Sequence, residues 1–409
     1  MKKNVTIETI EGGVCAPKGF KANGVHCGIR KNKIKKDLAL IVSEKRCSAA
    51  AVYTTNLVKG APVILTKEHV ADGYAQAIVV NSGNANTCNS NGVWIAKRMC
   101  ALVQKYTKIP SGDVLVGSTG VIGQKLSINP IKDGMPELYA GLGDNSNAAA
   151  EAIMTTDTVK KELAVKFELG GKEVRIGAIG KGVGMICPNM ATMLLFVTTD
   201  LAISPKMLQK AISEEVDDSL NMLSVDRDTS TNDMFVILAN GLAGNKEIVA
   251  DGEDFRLFKE ILHVVTVKYC KMLAADGEGA TKLIECHVKN AKTKQDARLA
   301  AKSIVNSNLV KAMVFGADAN GGRVMCALGY SGADIDVHKV NVSFCSSAGI
   351  VDAYKKGCAL AFDEALAKKV LSQKEIHIII DLKDGVKSAT AWGCDLTYDY
   401  VKINGDYRT

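Results

Sequence analysis

Aromatic residues are scarce in this chain of 409 residues: 5% of the total, with two tryptophans. Positive charge is also thinly spread. The formal net charge is +7, and the densest basic run, "RKNKIKK" from Arg30 to Lys36, reads as a solvated turn. Nucleic-acid binding needs basic residues focused on one face and rings on which bases can stack, so it is disfavoured. No two of the twelve cysteines show CxxC spacing. Several, such as Cys326 and Cys345, lie in apolar or small-residue runs and read as free buried thiols in a reducing cytosol. The adjacent pairs His26-Cys27 and Cys286-His287 point to opposite sides of a strand, which disfavours a zinc site. No apolar run is long enough to span a bilayer, and no apolar stretch follows the lysines of "MKKNVTIETIEGG". The expectation is a soluble, cytoplasmic protein without membrane contact. No repeat or low-complexity linker announces a boundary.

Familiar catalytic patterns are missing as well. There is no GxSxG, no Walker A sequence, and no GxGxxG between a strand and a helix. The six histidines lie in unpromising places: His263 falls inside a helical stripe and His377 in the apolar run "EIHIIID". Any nucleophile is therefore expected to work without histidine.

Apolar residues make up 47% of the chain, and glycine (37) is abundant. "LALIVSE" (38–44), "AQAIVVNSG" (75–83), "DVLVGSTG" (113–120), "DMFVILANG" (233–241) and "EIHIIIDL" (375–382) read as strands. "SPKMLQKAISEEVDDSLNML" reads as a helix with Ser204 as N-cap, Pro205 in its first turn, and Leu208, Ile212, Val216 and Leu220 on one face. A second helix is expected over 254–273. The pattern is α/β, with helices layered over sheets and no strict alternation.

One stretch asks for chemistry: "GKGVGMICPNMATMLLFVTTD", from Gly180 to Asp200. Met193 to Val197 reads as a buried strand, and Thr192 stands at its mouth after a glycine-rich approach. Such a threonine ordinarily only packs. As an N-terminal residue, however, it carries its own base, because an α-amine has a pKa of roughly 7.7–8.0. Freeing that amine requires the Ala191–Thr192 bond to break. Gly180, Gly182 and Gly184 would permit the strained or close backbone conformations this needs. A second stretch, "VGSTGVIGQ", runs from a strand into a Ser-Thr-Gly turn. It reads either as a plain turn or as an oxyanion hole in which amides and a threonine hydroxyl point at one oxygen.

Taken in order, "GGVCAPKGFKANGVHCGIRKNKIKKDLALI", "VVNSGNANTC", "GSTGVIG", "AIMTTDT", "KGVGMICPNMATML", "DRDTSTND", "DGEGATK" and "YVKINGDYRT" resemble the ornithine acetyltransferase (glutamate N-acetyltransferase) family of arginine biosynthesis. The likeness runs over nearly the whole chain. It implies the two-domain layered α/β fold of self-processing transferases. It also implies autocatalytic cleavage between Ala191 and Thr192, giving an α chain (1–191) and a β chain (192–409) that assemble as a heterotetramer of two of each. By the same resemblance Thr192 accepts the acetyl group, and Thr119 and Gly120 are the oxyanion donors. Thr155 or its neighbour Thr156, Lys181, Thr192, Glu278, Asn404 and Thr409 line the amino-acid site. Lys181 suits an α-carboxylate and Glu278 an ammonium. The implied reaction is ping-pong: N-acetylornithine acetylates Thr192, and glutamate takes the group away as N-acetylglutamate. No metal or organic cofactor is implied; acetyl-CoA is expected as a second, slower donor. Two competing readings are a self-cleaving aminopeptidase or amidase with the same nucleophile, and an uncleaved amino-acid-binding protein.

Overall fold

A computed structural model describes residues 6–31, 34–186 and 193–406. Ala191, Thr192 and Thr409 lie outside the described residues. The first strands are β1 (Glu8–Ile10), β2 (Phe20–Val25), β3 (Leu38–Tyr53), β4 (Tyr74–Asn81), β5 (Val114–Ser118), β6 (Lys161–Leu169), β7 (Lys172–Lys181) and β8 (Leu194–Thr199). They are followed by β9 (Leu223–Ser224), β10 (Met234–Ala239), β11 (Leu283–Ala291), β12 (Asn341–Ser346), β13 (Gly349–Lys355), β14 (Cys358–Ala359), β15 (Glu375–Asp381) and β16 (Lys387–Cys394). The helices are α1 (Ala61–His69), α2 (Gly92–Thr107), α3 (Ile128–Ala140), α4 (Ser146–Ile153), α5 (Pro205–Glu215) and α6 (Glu253–Ala275). Then come α7 (Lys294–Asn306), α8 (Asn308–Phe315), α9 (Gly321–Gly329), α10 (Glu364–Leu371) and α11 (Tyr398–Gly405).

The chain divides into two units, and it enters each of them three times. The first takes Met1–Gly182, Asn189–Val216 and Thr229–Thr266, and the second Val183–Pro188, Asp217–Asp228 and Val267–Thr409. The first holds a nine-stranded sheet in the order β1-β6-β7-β8-β10-β3-β4-β5, with β2 paired to β3. Side chains alternate across these strands. Leu38, Leu40, Val79 and Val116 face Ile95 and Met99 of α2 and Met135 of α3, whereas Ile41, Ile78, Leu115 and Phe196 face Ala149 and Ile153 of α4. A central strand covered on both faces has no polar side. Accordingly all six residues of β8 are buried, and it pairs in parallel with β10. Each such large apolar side chain contributes about 1.5–3 kcal/mol when fully buried.

The second unit holds a seven-stranded sheet, β14-β13-β12-β15-β11-β16-β9, with α7 against β11 and β16. Ile284, Cys286 and Val288 of β11 are buried, while Glu285 and His287 point to the opposite face.

All six strands read from the sequence form, the one expected from Met193 to Val197 running Leu194–Thr199. The first runs on to Tyr53, past the exposed Glu44–Arg46, whose charges hide its continuation, and across an irregularity against β4. The helix opening at Ser204 is capped as expected, the serine accepting from the Met207 amide. It stops at Glu215, not in the region of Leu223, and two short 3₁₀ turns follow. Asp217 and Asp218 are poor helix formers placed at the negative end of the helix dipole, and Asp218 is drawn to Lys294 and Arg298. The eleven described cysteines form no disulfide, yet Cys88, Cys326 and Cys358 are exposed and Cys345 half-buried. Arg30 is no free surface charge: its guanidinium donates to the Ser82 hydroxyl and the Met154 carbonyl. No helix among the described residues is long and apolar enough to cross a membrane.

Candidate active site

The Ser-Thr-Gly turn sits at the end of β5. The Thr119 amide donates to the Asn81 carbonyl at 3.0 Å, so it is committed to the backbone. The Thr119 side chain is nearly buried, at 9% exposure, and its hydroxyl makes no hydrogen bond among the described residues. Gly120 has φ +129°, and a Cβ there would lie 2.4 Å from the Gly83 carbonyl carbon, so only glycine fits. The "NSGNAN" motif cradles the turn: Asn81 accepts from the Ser118 hydroxyl at 2.6 Å and donates to the Asn84 carbonyl at 2.9 Å. Asn232 clamps it from the other side, donating to the carbonyls of Ser118 (3.0 Å) and Ala85 (2.6 Å) while Thr87 and Thr231 donate to its oxygen. The motif reading had not picked out Asn232, although it lies in the polar run "TSTND".

Asp233 follows, one residue ahead of β10. The Met234 amide donates to the Met193 carbonyl at 2.9 Å, so Asp233 is level with the residue next after Thr192. Its carboxyl is fully buried, and Oδ2 has no hydrogen-bond partner among the described residues. Burial pushes its pKa well above the ordinary carboxylate range, against the pull of Ser230 and Lys181. Burial thus favours its neutral form.

Lys181 ends β7, opposite Leu194 in register. It is 8% exposed, and its ammonium is 3.9 Å from Asp157 Oδ2. Asp157 gathers this corner. Its Oδ1 accepts from Lys161 at 2.8 Å and from the Gly182 amide at 2.9 Å, and its Oδ2 accepts from the Thr155 amide at 2.9 Å. Burial opposes its charge, but the two ammonium groups and these donors outweigh burial and hold the carboxyl well below its usual range. Thr155 and Lys181 thus meet at Asp157, which the sequence reading passed over. Of the three approach glycines, Gly180 is an ordinary strand residue, Gly182 has φ +153°, and Gly184 permits a close approach.

That approach lies in the second unit. A Cβ on Gly184 would be 2.5 Å from the Glu278 carboxyl carbon. Glu278 is 9% exposed, and it accepts from the Asn404 side chain of α11 at 2.8 Å while its amide donates to the Val183 carbonyl. The amides of Met185 and Ile186 donate to Asp226 at 2.7 and 2.8 Å. Burial raises the Asp226 pKa against these donors. Burial and the acidic neighbours Asp226, Asp228 and Glu278 raise that of Tyr400. Beside them opens a cavity of about 960 Å³, lined by Asp226, Lys311, Phe315, Leu396 and Tyr400 among others.

A threonine hydroxyl on a rigid glycine turn, and a buried cation in the same unit, suit an enzyme acting on a carbonyl group in an anionic small molecule. Residues 21–409 match the ArgJ family, and this chain belongs to it. The chain is 52% identical over 405 residues to the arginine biosynthesis bifunctional protein ArgJ of Caldanaerobacter subterraneus subsp. tengcongensis, covering 98% of this chain and 100% of that one. It is 47% identical over 414 residues to the glutamate N-acetyltransferase of Methanocaldococcus jannaschii, with 98% and 100% covered. Among solved structures, the arginine biosynthesis bifunctional protein of Bacillus halodurans is 41% identical, with a TM-score of 0.49 over 51% of this chain and 97% of that chain. The family resemblance read from the motifs is thereby borne out.

Proposed function

We propose that this protein is a cytoplasmic acetyltransferase of arginine biosynthesis that moves acetyl from N-acetylornithine to glutamate through Thr192. The chain first cuts itself. The Thr192 hydroxyl attacks the Ala191 carbonyl, the C–N bond breaks, and the released amine takes the proton. Water then hydrolyses the resulting ester, leaving a carboxylate on Ala191 and a free N-terminal threonine. The products are the α chain (1–191) and β chain (192–409), two of each in the working particle.

In turnover the Thr192 amine accepts the hydroxyl proton as the oxygen attacks the acetyl carbonyl. The Thr119 hydroxyl and Gly120 amide receive the oxyanion; the amide bond then breaks, and ornithine leaves with the proton on its α-amine. Glutamate's amine reverses these steps on acetyl-Thr192. Lys181, whose ammonium is 3.9 Å from Asp157, pairs with the α-carboxylate common to both substrates. Thr155 and Thr409 line the same amino-acid site. Glu278, positioned by Asn404, takes the ammonium of ornithine.

The observation that carries this reading is the Ser-Thr-Gly turn, where only glycine fits at 120 and which Asn81 and Asn232 brace, so that the Thr119 hydroxyl is held in place. The names of the relatives support both activities, so acetyl-CoA is included as a second donor. The test is incubation with glutamate and either donor. N-acetylglutamate is expected from both, and none from a Thr192→Ala variant. Release of free acetate without transfer would favour a hydrolase.

A further inference from the structure

We propose that the second unit carries a divalent transition-metal site, made by Glu285, His287 and His377 on the sheet face opposite α7. Glu285 and His287 are two apart on β11 and so share a face. His377 stands level with Glu285 on the parallel neighbour β15. The three side chains converge. Glu285 Oε1 is 2.9 Å from His287 Nε2 and 3.3 Å from His377 Nδ1, and the two nitrogens are 3.3 Å apart. The ring centroids are 5.5 Å apart, so the rings meet through their nitrogen edges. Ligand atoms about 2.0–2.2 Å from a tetrahedral Zn²⁺ are themselves roughly 3.3 Å apart, the spacing of two of the three pairs here, with the third at 2.9 Å.

The surroundings fit as well. A metal-bound imidazole ordinarily gives its other N–H to an acceptor, which fixes the ring. His287 Nδ1 has the Thr390 hydroxyl at 3.1 Å, and His377 Nε2 faces the Glu375 carboxylate at 3.8 Å. Lys271 and Trp392 each hold Glu285 Oε2 at 2.7 Å, leaving Oε1 to the imidazoles. The imidazoles are 37% and 28% exposed, which gives an ion a way in.

Without an ion, the His287 Nε2–H faces Oε1, and His377 Nδ1 lies within hydrogen-bond reach of the same nitrogen. With one, each ring turns its lone pair inward and carries its proton on the outer nitrogen, towards Thr390 or Glu375. No net proton is released, and water takes the fourth position. An N₂O donor set suits Zn²⁺, Co²⁺ or Ni²⁺ over Mg²⁺ or Ca²⁺. Lys271 on the same carboxylate offsets its charge, so micromolar binding is expected. The ion would fasten β11 to β15; transfer chemistry does not require it.

The test uses the full-length protein stripped with EDTA and titrated with Co²⁺. One ion per chain should bind with the visible spectrum of a four-coordinate centre, and Zn²⁺ should displace it. His377→Ala and, separately, His287→Gln should each weaken Zn²⁺ binding at least tenfold while melting as cooperatively as the metal-free parent. Saturable binding that survives both substitutions overturns the proposal. So does the absence of binding by the parent at millimolar Zn²⁺, which would leave Glu285 as the centre of an ion-pair cluster only.

Discussion

Asp157 and Lys161 form a 2.8 Å ion pair in which both side chains are completely buried. The pair also orders the site, because the same carboxylate holds Lys181, the Thr155 amide and the Gly182 amide. Breaking such a pair from one side strands a buried charge, at about 3–5 kcal/mol. Asp157→Asn should lose stability of that order in urea unfolding at pH 7. The folded pKa of Asp157 is depressed, so its contribution is present above the unfolded value of about 3.9 and is lost as pH falls through the folded one. The gap between parent and variant should therefore close only in strong acid.

Asp233 behaves in the opposite sense. Its folded pKa is raised, so its favourable contribution is complete below about pH 3.9 and is lost as pH rises through the folded value. Asp233→Asn keeps a neutral group of the same shape. It should melt above the parent at pH 8 and with it near pH 3. A variant that melts below the parent at pH 8 would mean that the carboxylate is ionised and paired.

The sheets were legible in the sequence, because buried strands such as 194–199 and 234–239 announce themselves as apolar runs. The two units were not. The chain passes between them after Gly182, Pro188, Val216, Asp228 and Thr266, the last crossing falling inside α6. Among the candidate residues, motif order brought out Thr119, Lys181 and Glu278, whereas Asp157, Asn232 and Asp233 look in sequence like the polar turns they interrupt. Burial is what distinguishes them, and burial is decided by distant strands. The histidines were dismissed for the same reason: pairing only sequence neighbours misses an i, i+2 pair completed across the sheet.

Thr119→Ala removes one proposed oxyanion donor. Steady-state kinetics should show kcat lower by roughly 10²–10³ with KM less affected. A raised KM at unchanged kcat would make Thr119 a substrate-binding group. Thr119→Ser, which keeps the hydroxyl, should recover much of the rate.

Glu278→Gln removes the charge proposed to recognise ornithine's ammonium. A hydrogen bond to a charged group contributes about 1.5–3 kcal/mol, so KM for N-acetylornithine should rise roughly 10- to 100-fold. Asn404→Ala, which removes one donor to the Glu278 carboxylate, should shift KM in the same direction by less. Acetyl-CoA has no such ammonium, so a parallel rise in its KM would contradict the assignment.

The central claim is that Thr192 attacks its own peptide bond and then carries the acetyl group. Intact-mass spectrometry of the purified protein tests it most directly. Two chains are expected, one ending at Ala191 and one beginning at Thr192, with the second gaining one acetyl group when N-acetylornithine is added without glutamate. Thr192→Ala should give a single uncut chain that gains nothing. Efficient cleavage in that variant, or an uncut parent that still transfers acetyl, would contradict it.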